Sequence, residues 1–243
     1  PYARWVKRQS AGATTAVHIQ NPQSRLSAFD LVAPPRHDHL RGTNVVETEA
    51  SLHRVTPERL AAAAADFAPQ LAHLPRPLVT VLIGGSNSCY ELTADAVSAL
   101  AGQLRALCLE QGAGLAVTPS RRTGDGNIET LRRALDGLPA VIWDFQEPNP
   151  YFGFLGLADA LIVTSDSVNM VTEACATGKP VHVLHLAGGN RKFNEFHASM
   201  RQAGYTRPFQ GILEDWRYQP ANDVAKIAAR IHDLLAVKEN ASA

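Results

Sequence analysis

Several stretches of this sequence carry residues fit for chemistry, and each follows an apolar run. Gly84-Gly85-Ser86 comes directly after Leu78–Ile83. Glycines at that point let backbone N–H groups approach a phosphate, and a helix start follows soon after. Strand-to-helix turns also need glycine for geometry alone, so both readings stand. Ser120-Arg121-Arg122-Thr123 offers guanidinium forks and hydroxyls suited to a phosphate or carboxylate, or else a solvated basic loop. Ser165-Asp166-Ser167 opens a short helix that carries Met170 and Glu173. Arg191 and Lys192 follow Gly188-Gly189-Asn190, and Asn149 and Tyr151 lie in the polar segment Asp144–Tyr151.

Glu173 is the sharpest of these positions. Its neighbours Ala174, Cys175 and Ala176 have the character of a buried helix face. A buried carboxylate is costly without partners. A ribose diol would supply two donors; a nearby Lys or Arg is the other candidate. The nine histidines show no metal spacing such as HExxH. His37 and Asp38, after Pro34-Pro35, are the candidates for a general base. His182 and His185 lie in a strand and are expected to pack or hydrogen-bond internally.

Alternating elements must position these residues. Apolar runs at Leu78–Ile83, Gly114–Thr118, Ala140–Asp144, Leu161–Thr164 and Pro180–Leu186 read as strands. Helices are predicted from Thr93 to Gln111, from Asn127 to Asp136, from Val168 to Ala176, near 193–203 and near 222–237. Continuous apolar strands separated by helices argue for βα units and a parallel sheet. Right-handed crossovers then put every strand's carboxyl end, and all five polar loops, on one edge, where open α/β sheets bind ligands. The first part of the chain reads as short strands at Thr14–Gln20, Phe29–Ala33 and Asn44–Thr48, then a helix near 57–67 with Thr56 as N-cap and Pro57 in its first turn. A boundary is expected near 70–77. It divides the chain into a smaller α/β domain over 1–75, either truncated or reduced, and a Rossmann-like domain over 76–243.

Composition narrows the function classes. Twenty-three basic and 23 acidic residues cancel, so no whole-chain attraction to nucleic acid is indicated. No run approaches the roughly 18 apolar residues of a membrane span. No signal peptide is visible, which places the chain in the cytoplasm, with peripheral contact at a membrane face still open. The chain opens at Pro1 without an initiator Met, so a processed or partial start is expected. Cys108 and Cys175 are expected to be buried apolar residues, and Cys89 sits in a polar loop. No GxGxxG and no GxxxxGK[ST] is present, which disfavours a standard dinucleotide site and a P-loop. Arg121 and Arg122 after the second strand keep an NADP-dependent oxidoreductase as a remote alternative.

These motifs together resemble the mitochondrial fission "elongated mitochondria" family. The resemblance is carried by Gly84-Gly85-Ser86, Thr118-Pro119-Ser120-Arg121-Arg122-Thr123, Asn149-Pro150-Tyr151, and Val163-Thr164-Ser165-Asp166-Ser167 through Met170 and Glu173-Ala174 to Thr177-Gly178-Lys179-Pro180-Val181. Phe29-Asp30-Leu31-Val32, Pro35, His37-Asp38, Gly42, Asn44-Val45 and Thr48 extend it toward the start. Bacterial members have been labelled predicted nucleoside-diphosphate-sugar epimerases. Those enzymes use an N-terminal GxxGxxG and a Tyr-xxx-Lys pair; Tyr90 and Tyr151 are followed four residues on by Ala94 and Leu155, so neither supplies the lysine.

The later domain is also similar to the C-terminal half of GT-B glycosyltransferases. That resemblance implies a bound nucleotide-diphosphate sugar, with Gly85, Ser86 and Ser167 at the phosphates and Glu173 at the ribose. Arg121 or Arg122 would stabilise the leaving group, and His37 or Asp38 would deprotonate an acceptor that the sequence does not identify. It implies no metal and no cofactor. The plant members of the fission family imply a second role, a non-catalytic adaptor on the same scaffold.

Overall fold

In the computed structural model, residues 2–221 and 223–242 are described. Residues 1–53 with 221–243 form one unit, and Arg54–Pro220 forms the other. The expected boundary near 75 therefore falls inside the second unit. The reason is packing. The helix Pro57–Leu71 lies against the helix Tyr151–Leu157, and Leu71 and Leu74 share a core cluster with Phe154.

The first unit holds α1 (Tyr2–Gln9), β1 (Val17–Ile19) and β2 (Leu31–Ala33). β1 and β2 pair in parallel, from Val17 opposite Leu31 to Ile19 opposite Ala33. The predicted third strand at Asn44–Thr48 is reduced to two bridges, Val32 with Val45 and Pro35 with Thr48. The helix Asp223–Ser242 belongs here, because Ile227 packs on Leu31 and Ala33. Asp223 Oδ2 accepts from Glu49 N–H at 2.7 Å, and Lys226 Nζ donates to the Glu47 carbonyl at 2.7 Å. The predicted start of this helix at 222 lies outside the described residues.

The second unit begins at α2 (Pro57–Leu71). Thr56 Oγ1 accepts from Arg59 N–H and Pro57 occupies the first turn, so the predicted start holds. Next come β3 (Leu78–Ile83), β4 (Tyr90–Glu91), α3 (Ala94–Gln111), β5 (Gly114–Pro119), α4 (Asp125–Ala134), β6 (Ala140–Ile142), α5 (Tyr151–Leu157), β7 (Ala160–Thr164), α6 (Val168–Cys175), β8 (Val181–Leu184), β9 (Ala187–Gly188), α7 (Arg191–Gln202) and β10 (Thr206–Pro208). α4 starts two residues before the predicted cap at Asn127, whose amide instead donates to the Thr123 and Leu92 carbonyls. α1 and α5 were not predicted. No helix among the described residues is long and apolar enough to cross a membrane.

Six strands form one parallel sheet in the order β10-β8-β7-β3-β5-β6. This is the doubly wound order, in which the chain moves outward one way from β3 and then the other way from β7. β3, β5 and β7 are buried along their whole length, as continuous apolar runs require. Val79, Val81 and Ile83 of β3 face a core with Leu100, Leu104 and Leu107 of α3. On the other face Leu78 meets Phe154, and Thr80 Oγ1 donates to the Phe154 carbonyl at 2.8 Å. That bond explains a hydroxyl in an otherwise apolar strand. Cys108 and Cys175 are buried as expected. His182 is buried too, with Nε2 accepting from Glu214 N–H at 3.0 Å, whereas His185 is exposed and its ring meets that of His197.

Candidate functional site

β3 and β7 are neighbours whose onward connections run in opposite directions. The crevice beyond their carboxyl ends is therefore the topological switch point, the usual ligand position in such sheets. Gly84-Gly85-Ser86 and Ser165-Asp166-Ser167 are the two loops that leave it.

Asp166 occupies this crevice from within. Its side chain is fully buried. Oδ2 accepts from Gly85 N–H at 3.0 Å and pairs with Arg122 Nη2 at 2.8 Å. Oδ1 accepts from Thr164 Oγ1 at 2.7 Å, and that hydroxyl accepts from Gly84 N–H at 2.8 Å. Asn87 Nδ2 donates to the Asp166 carbonyl at 3.1 Å. A buried carboxylate survives only with such a full set of partners.

The arrangement corrects the reading of two loops. The Gly84 and Gly85 N–H groups, expected to meet a phosphate, are used by Thr164 and Asp166. The glycines are required because a Cβ on Gly84 would collide with the Asp166 carboxylate, and one on Gly85 with the Arg122 carbonyl. Arg122 is likewise spent on Asp166, with Nη1 also donating to the Gly85 carbonyl at 3.3 Å. Ser120 has a positioning role. Its Oγ donates to the Gly84 carbonyl at 2.7 Å, and Thr123 Oγ1 donates to the same oxygen at 2.6 Å. Around the short turn Arg121–Thr123, Ser120 Oγ also accepts from Arg122 N–H at 3.2 Å, and Thr123 Oγ1 accepts from Ser120 N–H at 3.0 Å. Arg121 is exposed.

α6 presents the second half of the site. Ser167 Oγ accepts from Met170 N–H at 3.3 Å and caps the helix. Val168 and Asn169, the first two helical residues, keep N–H groups without a side-chain acceptor in the described structure, at the positive end of the helix. Ser165 is turned inward: its Oγ accepts from Leu186 N–H at 3.0 Å, and its carbonyl accepts from His197 Nε2 at 2.8 Å.

Glu173 has found a protein partner, though neither a lysine nor an arginine. Tyr151 Oη donates to Glu173 Oε2 at 2.6 Å. Burial, and then the Glu173 charge, push the Tyr151 phenol far above its usual pKa, so it stays a donor. Oε1 of Glu173 has no hydrogen-bond partner among the described residues. α5 is what delivers Tyr151. Asn149 Oδ1 accepts from Tyr151 N–H at 3.0 Å and fixes the start of that helix. Lys179 fixes its end, with Nζ donating to the Leu155 and Gly156 carbonyls at 2.8 and 2.6 Å. Burial lowers the Lys179 pKa to about 8, with Asp159 acting the other way.

The remaining predicted residues lie elsewhere. Ser86 Oγ accepts from Leu92 N–H at 2.9 Å on the exposed side of the first loop. Arg191 is exposed and pairs along its own helix with Glu195 at 2.7 Å. His37 and Asp38 sit in a short turn, Arg36–Asp38, of the first unit, and His37 is buried. A cavity of about 440 Å³ opens between α2, α5 and the loop after β6, lined by Phe67, Trp143, Asp144 and Glu147. None of the crevice residues lines it.

Comparison with known proteins places the chain. Residues 1–235 match the profile of mitochondrial fission ELM1. The chain belongs to this family. It is 35% identical to mitochondrial fission protein ELM1 of Arabidopsis thaliana over 260 aligned residues, covering 96% of the chain and 61% of the relative. It is 24% identical to an uncharacterised protein of Rickettsia prowazekii, covering 84% of the chain and 59% of that protein. The chain thus spans about three-fifths of the length of these two relatives. Among solved structures it is similar to MurG of Acinetobacter baumannii, with a TM-score of 0.49 and 15% identity over 86% of the chain and 64% of MurG. It is also similar to a family 9 glycosyl transferase of Veillonella parvula, with a TM-score of 0.42 and 13% identity over 94% and 71% of the two chains.

Proposed function

We propose that the Arg54–Pro220 unit of this ELM1-family chain binds a nucleotide-diphosphate sugar at the β3/β7 crevice, as part of a GT-B-type glycosyltransferase-like protein. The observation that carries this reading is the pairing of Tyr151 with Glu173 on α6, the helix that Ser167 caps as it leaves the crevice. One oxygen of Glu173 is oriented by Tyr151, which leaves the other to accept from a ribose hydroxyl. The α6 N-terminus supplies N–H groups and dipole to the diphosphate, with the exposed Arg121 as the cation. Gly84, Gly85, Ser120, Arg122 and Asp166 shape this site without touching the ligand. In the transfer, the acceptor hydroxyl gives its proton to a general base. Its oxygen then bonds to the anomeric carbon as the bond to the diphosphate breaks. No metal is assigned a role.

Calorimetry against UDP-, GDP-, ADP- and CMP-sugars tests the proposal. One nucleotide class is expected to bind saturably, and Glu173→Ala is expected to weaken it at least about tenfold. No binding of any of them at millimolar concentration would overturn it.

A second reading, an adaptor without catalysis, is favoured by one observation: three donors expected at the ligand are consumed by the protein's own Thr164 and Asp166. Partner capture unchanged by Glu173→Ala, together with no nucleotide-sugar affinity, would select it.

A further inference from the structure

The first unit carries a cationic pocket that the nucleotide-sugar reading does not use. It has a volume of about 490 Å³ and is lined by Arg4, Lys7 and Arg8 of α1, by the Ala11-Gly12 turn that ends it, and by Arg25, Ser27 and Ala28. That size suits a small ligand. Four cations line it and no carboxylate does. Lys7 is neutralised, since its Nζ pairs with Asp30 at 2.9 Å. Among the described residues, no carboxylate pairs with Arg4, Arg8 or Arg25. Guanidinium groups sharing one cavity repel each other unless an anion lies between them.

Helical geometry explains the convergence. Arg4, Lys7, Arg8 and Ala11 are spaced at i, i+3, i+4 and i+7, the pattern of a single helix face. The turn after α1 continues that face: Ala11 N–H donates to the Arg8 carbonyl and Gly12 N–H to the Lys7 carbonyl. Ala11 and Gly12 both take left-handed backbone angles to do so. Tyr2 and Trp5 fall two residues before Arg4 and Lys7, about 200° away around the helix at 100° per residue. They stack on each other with centroids 5.9 Å apart and are 75% and 50% exposed. Arg8, three residues after Trp5, lies only about 60° from it around the helix, so the two faces adjoin at that edge.

We propose that this pocket is a binding site for a phosphate-bearing small molecule with at least two negative charges, held by Arg4, Arg8 and Arg25. Three planar forks suit the several oxygens of a pyrophosphate or phosphomonoester. Lys7 has a positioning role, tying α1 to Asp30 so that the arginines stay aimed. The site lies wholly in the first unit and stands or falls independently of the β3/β7 crevice.

Inorganic pyrophosphate is the probe, titrated calorimetrically into the whole chain at about 150 mM salt, where only close charge pairs persist. Saturable binding is expected, and Arg4→Ser/Arg8→Ser/Arg25→Ser should weaken it by at least about tenfold, while Arg133→Ser, on the exposed surface of α4 in the other unit, should leave it unchanged. Should the triple serine variant fail to fold by circular dichroism, Arg8→Glu alone takes its place and is expected to show the same loss. Absence of saturable binding, equal binding by the wild type and the arginine variants, or the same loss in Arg133→Ser would overturn the proposal. Flotation with phosphatidylglycerol vesicles separates the sources of phosphate. Vesicle binding that pyrophosphate displaces and the triple variant lacks assigns a lipid headgroup; pyrophosphate binding without vesicle binding assigns a free ligand.

Discussion

Asp166 and Glu173 are two carboxylates seven residues apart on either side of the α6 N-cap. Asp166 is fully enclosed, with each oxygen committed to Thr164, Gly85 or Arg122. Glu173 is half-buried and holds one partner, Tyr151, by one oxygen. A saturated carboxylate builds a site, whereas one with a spare acceptor can use it. Site-forming residues should then fail in stability when changed, and ligand-facing ones should fail in affinity.

The largest effect is expected at Asp166. Asp166→Ala leaves Arg122 and the Gly85 N–H without their acceptor, and breaking one side of a buried ion pair costs about 3–5 kcal/mol. Urea unfolding should show that loss in the transition midpoint. A change below about 1 kcal/mol would mean that the cluster carries no structural weight, and the contrast with Glu173 would collapse.

The sheet was legible because continuous apolar runs and β-α alternation survive in one dimension. LVTVLI, GLAVT and ALIVT state their burial directly, and the polar loops after them had to share an edge. The details of the site were not legible, for a physical reason. Gly84-Gly85 would look the same whether the close neighbour were a phosphate or the carboxylate of Asp166. Only tertiary contact tells them apart. Tyr151 could not be paired with Glu173 because α5 was hidden in a segment rich in Pro, Asn and aromatics. The Lys179 that ends α5 reads as an ordinary surface cation. The structural role of Thr123 does have a signal: it lies three residues after Ser120, the spacing of a capping box before a short turn. The last helix reads as the end of the second domain. Its docking on Leu31 and Ala33 is a long-range contact that no local pattern encodes.

A second test of the enclosed half uses pH. His197 is buried, and burial lowers its pKa to about 4 against the opposing effect of its bond to the Ser165 carbonyl. That carbonyl can only accept, so Nε2 carries the proton in the neutral ring. The unfolded chain binds this proton below about pH 6.5 while the folded one does not until about pH 4. Stability contributed by the neutral ring is complete above about pH 6.5 and falls as pH drops toward 4, by up to about 3 kcal/mol. His197→Gln keeps a donor without the titration and should flatten the fall in Tm between pH 7 and 5. An acid slope identical to wild type would show that His197 takes up its proton without loss.

The glycine next to the cluster gives a smaller and more selective effect. Gly84→Ala puts a methyl group where the Asp166 carboxylate lies, and overpacking of this kind costs about 1–3 kcal/mol. In an Asp166→Ala background the collision is gone, so the added cost should shrink to a few tenths of a kcal/mol, a coupling that a double-mutant cycle reads directly. Equal costs in both backgrounds would point to the left-over backbone geometry, and a phosphate-facing role for Gly84 would return.

The smallest stability effect belongs to the open carboxylate. Tyr151→Phe removes a single hydrogen bond to a half-exposed charge and should cost about 1 kcal/mol. Its consequence for ligand is expected to be larger than for folding. Without the phenol, Glu173 loses its one hydrogen-bond partner among the described residues, and the oxygen proposed to accept from a ribose hydroxyl is no longer held in place. Nucleotide-sugar affinity should therefore fall by about tenfold, while Glu173→Gln, which keeps the shape but weakens the acceptor, should fall further with almost no change in Tm. If both variants lost stability as Asp166→Ala does and left affinity untouched, Glu173 would be a second structural carboxylate. The crevice would then have no acceptor to offer a ribose.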